Sequence, residues 1–227
     1  MMLKAVIFDF NGVIIDDYPI QKEAWNRMSK IIRGTEVTDE EMIKQIRGVP
    51  TVDTIKRMSE DKLEMLKIAE LSLKKEKIVQ EIIDTSPLFR LNKGLEIFLD
   101  RLKDKKIPRT IATSLSKEMF YFLANRLHLD VWFAFNTIIS SDGTHKGKPA
   151  PDSYILAAKA IGVSPSECVV FEDARSGIQS AYEAGCNNIV VVNTDDRLEV
   201  LTKLPGVVRG IHDFSEITVE SLFGLTK

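Results

Sequence analysis

Long hydrophobic runs, histidine, cysteine and an excess of either charge are all scarce in this chain of 227 residues. No stretch reaches roughly 18 uninterrupted apolar residues, the length that marks a membrane-spanning helix, so no membrane partner is expected. The 31 basic side chains against 33 acidic ones leave a formal charge of -2 with no basic arm or tail, which removes the electrostatic case for nucleic acid or an anionic membrane. His128, His145 and His212 are scattered without metal-ligand spacing, so no zinc centre is expected. The absence of a Gly-x-Ser-x-Gly elbow argues against a serine hydrolase. Cys168 and Cys186, the only cysteines, lie in apolar stretches and read as reduced core thiols rather than a disulfide framework. Met1-Met2-Leu3-Lys4 runs directly into an apolar segment without the pattern of a secretory leader, so a cytoplasmic protein is the expectation.

What is present is an alternation of buried strands and helices. Ala5 to Phe8, Thr110 to Thr113, Cys168 to Phe171 and Ile189 to Val192 are apolar strand candidates that each lead into a helix, the pattern of a parallel sheet covered on both faces. Asn136 to Ser140 and Gly206 to Gly210 are candidates to extend it, the latter after the Pro205-Gly206 turn. Between the first two strands, helical periodicity predicts helices over Gln21 to Ile32, Asp39 to Ile46, Val52 to Met58 and Leu63 to Ile83. Gly34, Gly48 and Pro50 break them, and Thr38 with Glu41 forms a capping-box pattern. The expected architecture is therefore α/β: a Rossmann-like parallel-sheet core over 1–16 and 87–227, with an all-helical lobe inserted at 17–86. Two connections, Asp16 to Pro19 and Thr85 to Asn92, permit hinge closure of that lobe.

The polar residues gather at strand ends. Asp9-Phe10-Asn11-Gly12 closes the first strand, and in open α/β sheets ligands bind at that edge. Thr113-Ser114, Lys148-Pro149-Ala150-Pro151-Asp152 and Glu172-Asp173 follow at later strand ends or nearby loops. Each has an ordinary structural reading as a strand-end, loop or helix-capping residue. Taken in order, the four clusters resemble the motifs of the haloacid dehalogenase superfamily over nearly the whole chain. The helical lobe and the run Phe171-Glu172-Asp173-Ala174-Arg175-Ser176-Gly177-Ile178 are similar to the β-phosphoglucomutase-like subgroup, whose inserted lobe is a cap.

The resemblance implies a Mg²⁺-dependent phosphatase acting on a small phosphorylated metabolite through an aspartyl-phosphate intermediate. Asp9 is the implied nucleophile, with Mg²⁺ held by Asp9, Asp173 and the backbone carbonyl of Asn11, an oxygen set suited to a hard ion. Glu172 is implied as a direct or water-mediated metal partner. Lys148 would place positive charge against the phosphoryl oxygens, Thr113 or Ser114 would donate a hydroxyl hydrogen bond, and backbone N–H groups near Gly12 would complete the phosphate cradle. A monomer is the default, with a dimer left open.

The chain also departs from the family. Asn11 stands where its phosphatases and phosphomutases usually carry an aspartate that protonates the leaving oxygen, which an amide cannot do. The site then recruits another acid from Asp16, Asp17 or Glu172, or acts on activated acyl or aryl phosphates, or binds phosphate ligands with weak or no turnover; an engineered change at Asn11 is a further reading. Gln21 replaces the histidine and Thr51 the arginine that sugar phosphomutases carry in the cap, while Lys74 matches their cap lysine. Gln21 and Lys74 are therefore candidate substrate contacts, and a phosphomutase is the less favoured alternative to a phosphatase.

Overall fold

The structure is a computed structural model describing residues 2–47, 49–85, 89–193 and 197–224. Gly48 and residues 86–88, invoked above as a helix break and as part of a connection, lie outside the described residues. The chain divides into two compact units: Met1–Asp16 with Arg90–Lys227, and Asp17–Phe89.

The first unit is a six-stranded parallel sheet of β1 (Ala5–Phe8), β2 (Arg109–Ser116), β3 (Ile139–Ser141), β4 (Cys168–Glu172), β5 (Ile189–Val192) and β6 (Val207–Ile211), in the order β3-β2-β1-β4-β5-β6. The expected Rossmann-like α/β fold is present. Every residue of β1, β4 and β5 is buried, as their continuous apolar sequences require. Side chains alternate between faces. Ala5 and Ile7 join Cys168, Val170, Ala112 and Tyr154 in one core layer, while Phe8 stacks on Phe171 at 5.2 Å on the other face. Phe98 and Phe214 close over that pair, with ring centroids 5.4 and 5.0 Å from Phe171. Both cysteines are buried and unpaired, and burial pushes their thiols up to about 12. They serve as core packing, as their apolar surroundings implied.

Ten helices are described: α1 (Tyr18–Arg33), α2 (Asp39–Glu41), α3 (Thr51–Met58), α4 (Met65–Thr85), α5 (Leu95–Asp104), α6 (Lys117–Arg126), α7 (Asp152–Ala160), α8 (Arg175–Glu183), α9 (Leu198–Leu201) and α10 (Val219–Phe223). The first four form the second unit, where α4 packs on α1 and α3. Its interior is built from Ile20, Ala24, Trp25 and Met28 of α1 and from Ile68, Leu71, Ile78, Val79 and Ile82 of α4, a three-and-four spacing that lines one face of each helix. No helix among the described residues is long and apolar enough to cross a membrane.

Several predicted boundaries shift for local reasons. Helix α1 starts at Tyr18 rather than Gln21, because Pro19 suits the first turn of a helix. The predicted strand Asn136 to Ser140 reduces to Ile139–Ser141, since Phe135–Thr137 winds into a 3₁₀ turn. Strand β2 runs on to Ser116, and β6 begins at Val207, after Gly206 makes the turn at φ +78°. The capping box at Thr38 is half formed. Thr38 Oγ1 accepts from Glu41 N at 3.1 Å, but the Glu41 carboxylate pairs with Arg33 at 2.6 Å. Asp39 to Ile46 is not one α-helix either, because Met42–Ile46 widens into a π-helical turn.

Candidate active site

Sheet register brings the carboxylates together. Phe8 lies opposite Phe171 in the parallel β1–β4 pair, so Asp9 and Glu172, one residue further along each strand, emerge side by side at the C-terminal edge. The Asp9 N–H bonds the Phe171 carbonyl at 2.9 Å, which extends that pairing. Strand order reverses direction between β1 and β4, the crevice where open α/β sheets bind ligands.

Lys148 reaches this edge from the loop before α7, and its three ammonium donors are all engaged. Its Nζ lies 2.6 Å from Asp9 Oδ1, 2.6 Å from Glu172 Oε1 and 3.1 Å from the Ala112 carbonyl of β2. The loop is anchored by Ser180 of α8, whose hydroxyl donates to the Ala150 carbonyl at 2.6 Å. Although burial opposes its charge, Asp9 and Glu172 hold the ammonium above its ordinary value. Lys148 is therefore a buried, paired cation and not the exposed loop lysine of the ordinary structural reading.

Asp173 completes an acidic cluster in which one oxygen each of Asp9, Glu172 and Asp173 lies within 4.8 Å of the others, all three residues being buried. Burial, opposed by the Lys148 charge and reinforced by Glu172 and Asp173, raises the Asp9 carboxyl well above the usual carboxylate range. Glu172 and Asp173 repel the Asp9 carboxylate at this distance, a repulsion that an added cation would relieve. The donors are all oxygen, so the set fits a hard divalent ion rather than a thiophilic one.

The remaining predicted residues are placed as follows. Gly12 adopts φ +78°, and a Cβ there would lie 2.4 Å from the Asp173 carboxyl carbon, so the turn after β1 can approach Asp173 only without a side chain. Asn11 is half-buried, its backbone bridged to Ile15. Thr113 is buried and accepts from Leu115 N at 3.1 Å, leaving its own proton to donate, whereas Ser114 is exposed. Of the two other candidate acids near the end of β1, Asp16 is exposed and Asp17 is buried.

In the helical unit Gln21 accepts from Lys75 Nζ at 2.6 Å, and that ammonium lies 5.3 Å from the centre of the Trp25 ring. Lys74, the lysine singled out from the sequence, is exposed. The reason is helical phase: residue 75 continues the stripe of Ile68, Leu71, Ile78 and Ile82, and residue 74 is rotated away from it.

Sequence reasoning missed three residues. Asn92 donates to the carbonyls of Gly12 and Val13 at 3.1 and 3.0 Å and so clamps the loop that follows Asp9. Tyr154 donates its hydroxyl to Glu172 Oε1 at 2.7 Å. Gly177 lies against Glu172, where a Cβ would sit 1.7 Å from Oε1. Only Gly177 stood within a motif already quoted, and no spacing rule marks the other two.

Comparison with known proteins agrees with this geometry. The profile of the haloacid dehalogenase-like hydrolases matches residues 6–191. The chain is 31% identical over 192 residues to the phosphorylated carbohydrates phosphatase of Thermotoga maritima, covering 82% of this chain and 84% of that protein. It is 30% identical over 220 residues to hexitol phosphatase A of Escherichia coli, covering 96% and 95%. A crystal structure of a HAD hydrolase, family IA, variant 3, from Entamoeba histolytica superposes with a TM-score of 0.91 at 35% identity over 98% of both chains. The strand-edge clusters, the parallel sheet and these matches agree: the chain belongs to the haloacid dehalogenase-like hydrolases.

Proposed function

We propose that the chain is a Mg²⁺-dependent phosphatase of small phosphorylated metabolites in which Asp9 is the nucleophile. The observation that carries this reading is the buried Asp9 carboxylate held 2.6 Å from Lys148 at the C-terminal edge of the sheet, with Glu172 and Asp173 beside it. An Asp9 oxygen attacks phosphorus, the bond from phosphorus to the substrate oxygen breaks, and the leaving group departs with that electron pair. Water then cleaves the aspartyl phosphate, returning Asp9 and inorganic phosphate. Lys148 gives its donors to the phosphoryl oxygens as charge spreads over them, and the Thr113 hydroxyl donates to the same group. Gly12 leaves its turn open for backbone N–H groups to face the anion. Mg²⁺, held by the Asp9 and Asp173 carboxylates and the Asn11 carbonyl, with Glu172 completing the acidic cluster, would neutralise charge between nucleophile and phosphate. Gln21 and Lys74 are the candidate substrate contacts of the helical unit. The named activities of the Thermotoga and Escherichia relatives put phosphorylated sugars and hexitols first among substrates.

Asn11 supports a second reading, a phosphate-ligand binding protein with weak or no turnover, because an amide cannot protonate an alkoxide leaving group. One experiment tests both. Phosphate release with Mg²⁺ is measured on sugar, hexitol, nucleotide, acyl and aryl phosphates, beside Asp9→Ala. Release that falls by about 10⁴-fold or more in the variant is the expected result. Absence of release on every substrate, with Mg²⁺-dependent phosphate binding intact, would establish the binding protein instead.

A further inference from the structure

The turn that follows Asp9 is gripped from two sides. On one side the Phe10 carbonyl accepts from the N–H groups of Val13, Ile14 and Ile15 at 3.3, 2.7 and 3.4 Å. Phe10 is itself fully buried, its ring edge-on to Phe120 at 5.8 Å. On the other side Asn92 holds the carbonyls of the same stretch. Its side-chain amide donates to the Gly12 and Val13 carbonyls at 3.1 and 3.0 Å, and its main-chain N–H donates to the Ile14 carbonyl at 2.8 Å. Both amide hydrogens are thereby engaged. Each peptide group between Gly12 and Ile15 is therefore held at both ends, by Phe10 and by Asn92. Asn92 is buried, its own carbonyl accepts from Leu95 N at 3.0 Å in the first turn of α5, and Leu91 bridges to Ile15 beside it.

The grip directs one further peptide group. The Gly12 N–H donates to the Ile15 carbonyl at 2.8 Å. A trans peptide is planar with its carbonyl opposed to its N–H, so the Asn11 carbonyl is directed away from Ile15. Gly12 lies against the Asp173 carboxyl, where a Cβ would come within 2.4 Å of Oδ2, so this peptide group adjoins the acidic cluster of Asp9, Glu172 and Asp173.

We propose that Asn92 is a positioning residue for the divalent cation: by holding the Gly12 and Val13 carbonyls it fixes the direction of the Asn11 main-chain carbonyl, and so sets metal affinity without touching the ion. The proposal rests on the Mg²⁺ part of the phosphatase reading and not on turnover. Without the amide, two carbonyls lose their donors in a largely buried place, and their peptide groups turn to find others. The Ile15 carbonyl shifts with them, and the Gly12 N–H and the Asn11 carbonyl follow it. Mg²⁺ demands near-ideal octahedral geometry, so a misdirected carbonyl weakens its binding.

Asn92→Leu tests this, because leucine keeps the size of the side chain and the main-chain bonds and removes only the two donors. Mg²⁺ affinity is measured by calorimetry well below the melting midpoint, and kcat on the best substrate is followed across Mg²⁺ concentration. The expected result is Mg²⁺ binding weakened by about tenfold, with kcat returning to within about threefold of the parent at saturating Mg²⁺. Leu102→Ala, a substitution at a fully buried position of α5, controls for stability: it should lower the melting midpoint and leave Mg²⁺ affinity within about twofold. Asn92→Ser, which leaves room for water on the two carbonyls, carries the comparison if Asn92→Leu does not fold. Unchanged Mg²⁺ affinity in a folded Asn92 variant would overturn the proposal. So would a kcat that stays depressed at saturating Mg²⁺, which would place the role of Asn92 elsewhere than at the metal. An equal loss of affinity in Leu102→Ala, or failure of both Asn92 variants to fold, would reduce Asn92 to ordinary stability and overturn it as well. A parent that binds Mg²⁺ but releases no phosphate ends the phosphatase reading and leaves the affinity comparison in force. A parent that binds no Mg²⁺ would sink both.

Discussion

At the sheet edge of the core unit one lysine and three carboxylates are buried together, with Lys148 within 2.6 Å of both Asp9 and Glu172. In the helical unit several ion pairs stand in solvent, among them Arg27 with Glu23, Lys44 with Glu40 and Lys67 with Glu70. The second arrangement is cheap to build and contributes little, since exposed pairs are screened and must immobilise long side chains. The first is expensive, because each charge gives up water and only full pairing offsets the loss. A fold selected for stability alone would fill that edge with apolar side chains. Its retention marks the edge as the place where charge is put to use.

The largest effect should come from enlarging the acidic cluster. Asn11→Asp supplies a carboxyl able to carry a proton to a leaving oxygen, and kcat on a sugar phosphate should rise by roughly 10²–10⁴-fold. On an aryl phosphate, whose leaving group needs no proton, the gain should be small. Equal gains on both substrates would show that Asn11 limits something other than proton transfer.

Removing the cation from each region sharpens the contrast. Lys148→Met strands buried carboxylates and should cost about 3 kcal/mol or more in urea unfolding. Lys44→Met in the helical unit should leave the unfolding midpoint almost where it was. Comparable shifts would mean that the Lys148 cluster is better solvated than its burial implies.

Two glycines make a finer comparison. Gly34 ends α1 at φ +79°, and a Cβ added there would meet nothing within 4 Å, so Gly34→Ala should cost about 1 kcal/mol through backbone conformation alone. Gly177 lies inside a helix, where alanine is ordinarily preferred, yet its Cβ would fall 1.7 Å from Glu172 Oε1. Gly177→Ala should therefore displace Glu172 and lower activity by about tenfold, while Gly34→Ala leaves activity unchanged. Full activity in Gly177→Ala would show that the position of Glu172 is not critical.

The same contrast explains what could be read in the sequence. Asp9, Glu172 and Asp173 follow continuous apolar strands, and a buried parallel strand fixes both where its end lies and which face each residue takes. The parallel α/β architecture was readable for the same reason. Thr113 and Ser114 could not be separated, because β2 continues to Ser116 and only its packing decides which hydroxyl is buried. Helical positions were harder. A step of one residue turns a side chain by about 100°, so Lys74 and Lys75 look alike in composition and differ wholly in environment. The stripe through Leu71, Ile78 and Ile82 did contain that answer. Asn92 and Tyr154 could not be found this way, since each acts through a partner distant in sequence, 80 residues from Asn92 to Gly12 and 18 from Tyr154 to Glu172.

Lys75 is where the two regions come nearest to resembling each other, and it gives the smallest expected effect. Burial, partly offset by the charges of Asp17 and Glu76, lowers its ammonium from the ordinary 10.5 to about 8. A lysine depressed in the folded state holds fewer protons there than in the unfolded chain between about pH 8 and 10.5, so stability rises with pH through that window. Below it, the desolvation cost is present in full. Lys75→Met removes the cost at every pH. The variant should therefore melt a few degrees above the parent at pH 7, and the gap should close as the pH is raised to about 10. All other groups titrate alike in both proteins, so the difference isolates Lys75. A gap that stays constant would mean that the Gln21 and Trp25 contacts solvate the ammonium as well as water does, and would place Lys75 with the inexpensive charges of its own unit rather than with Lys148.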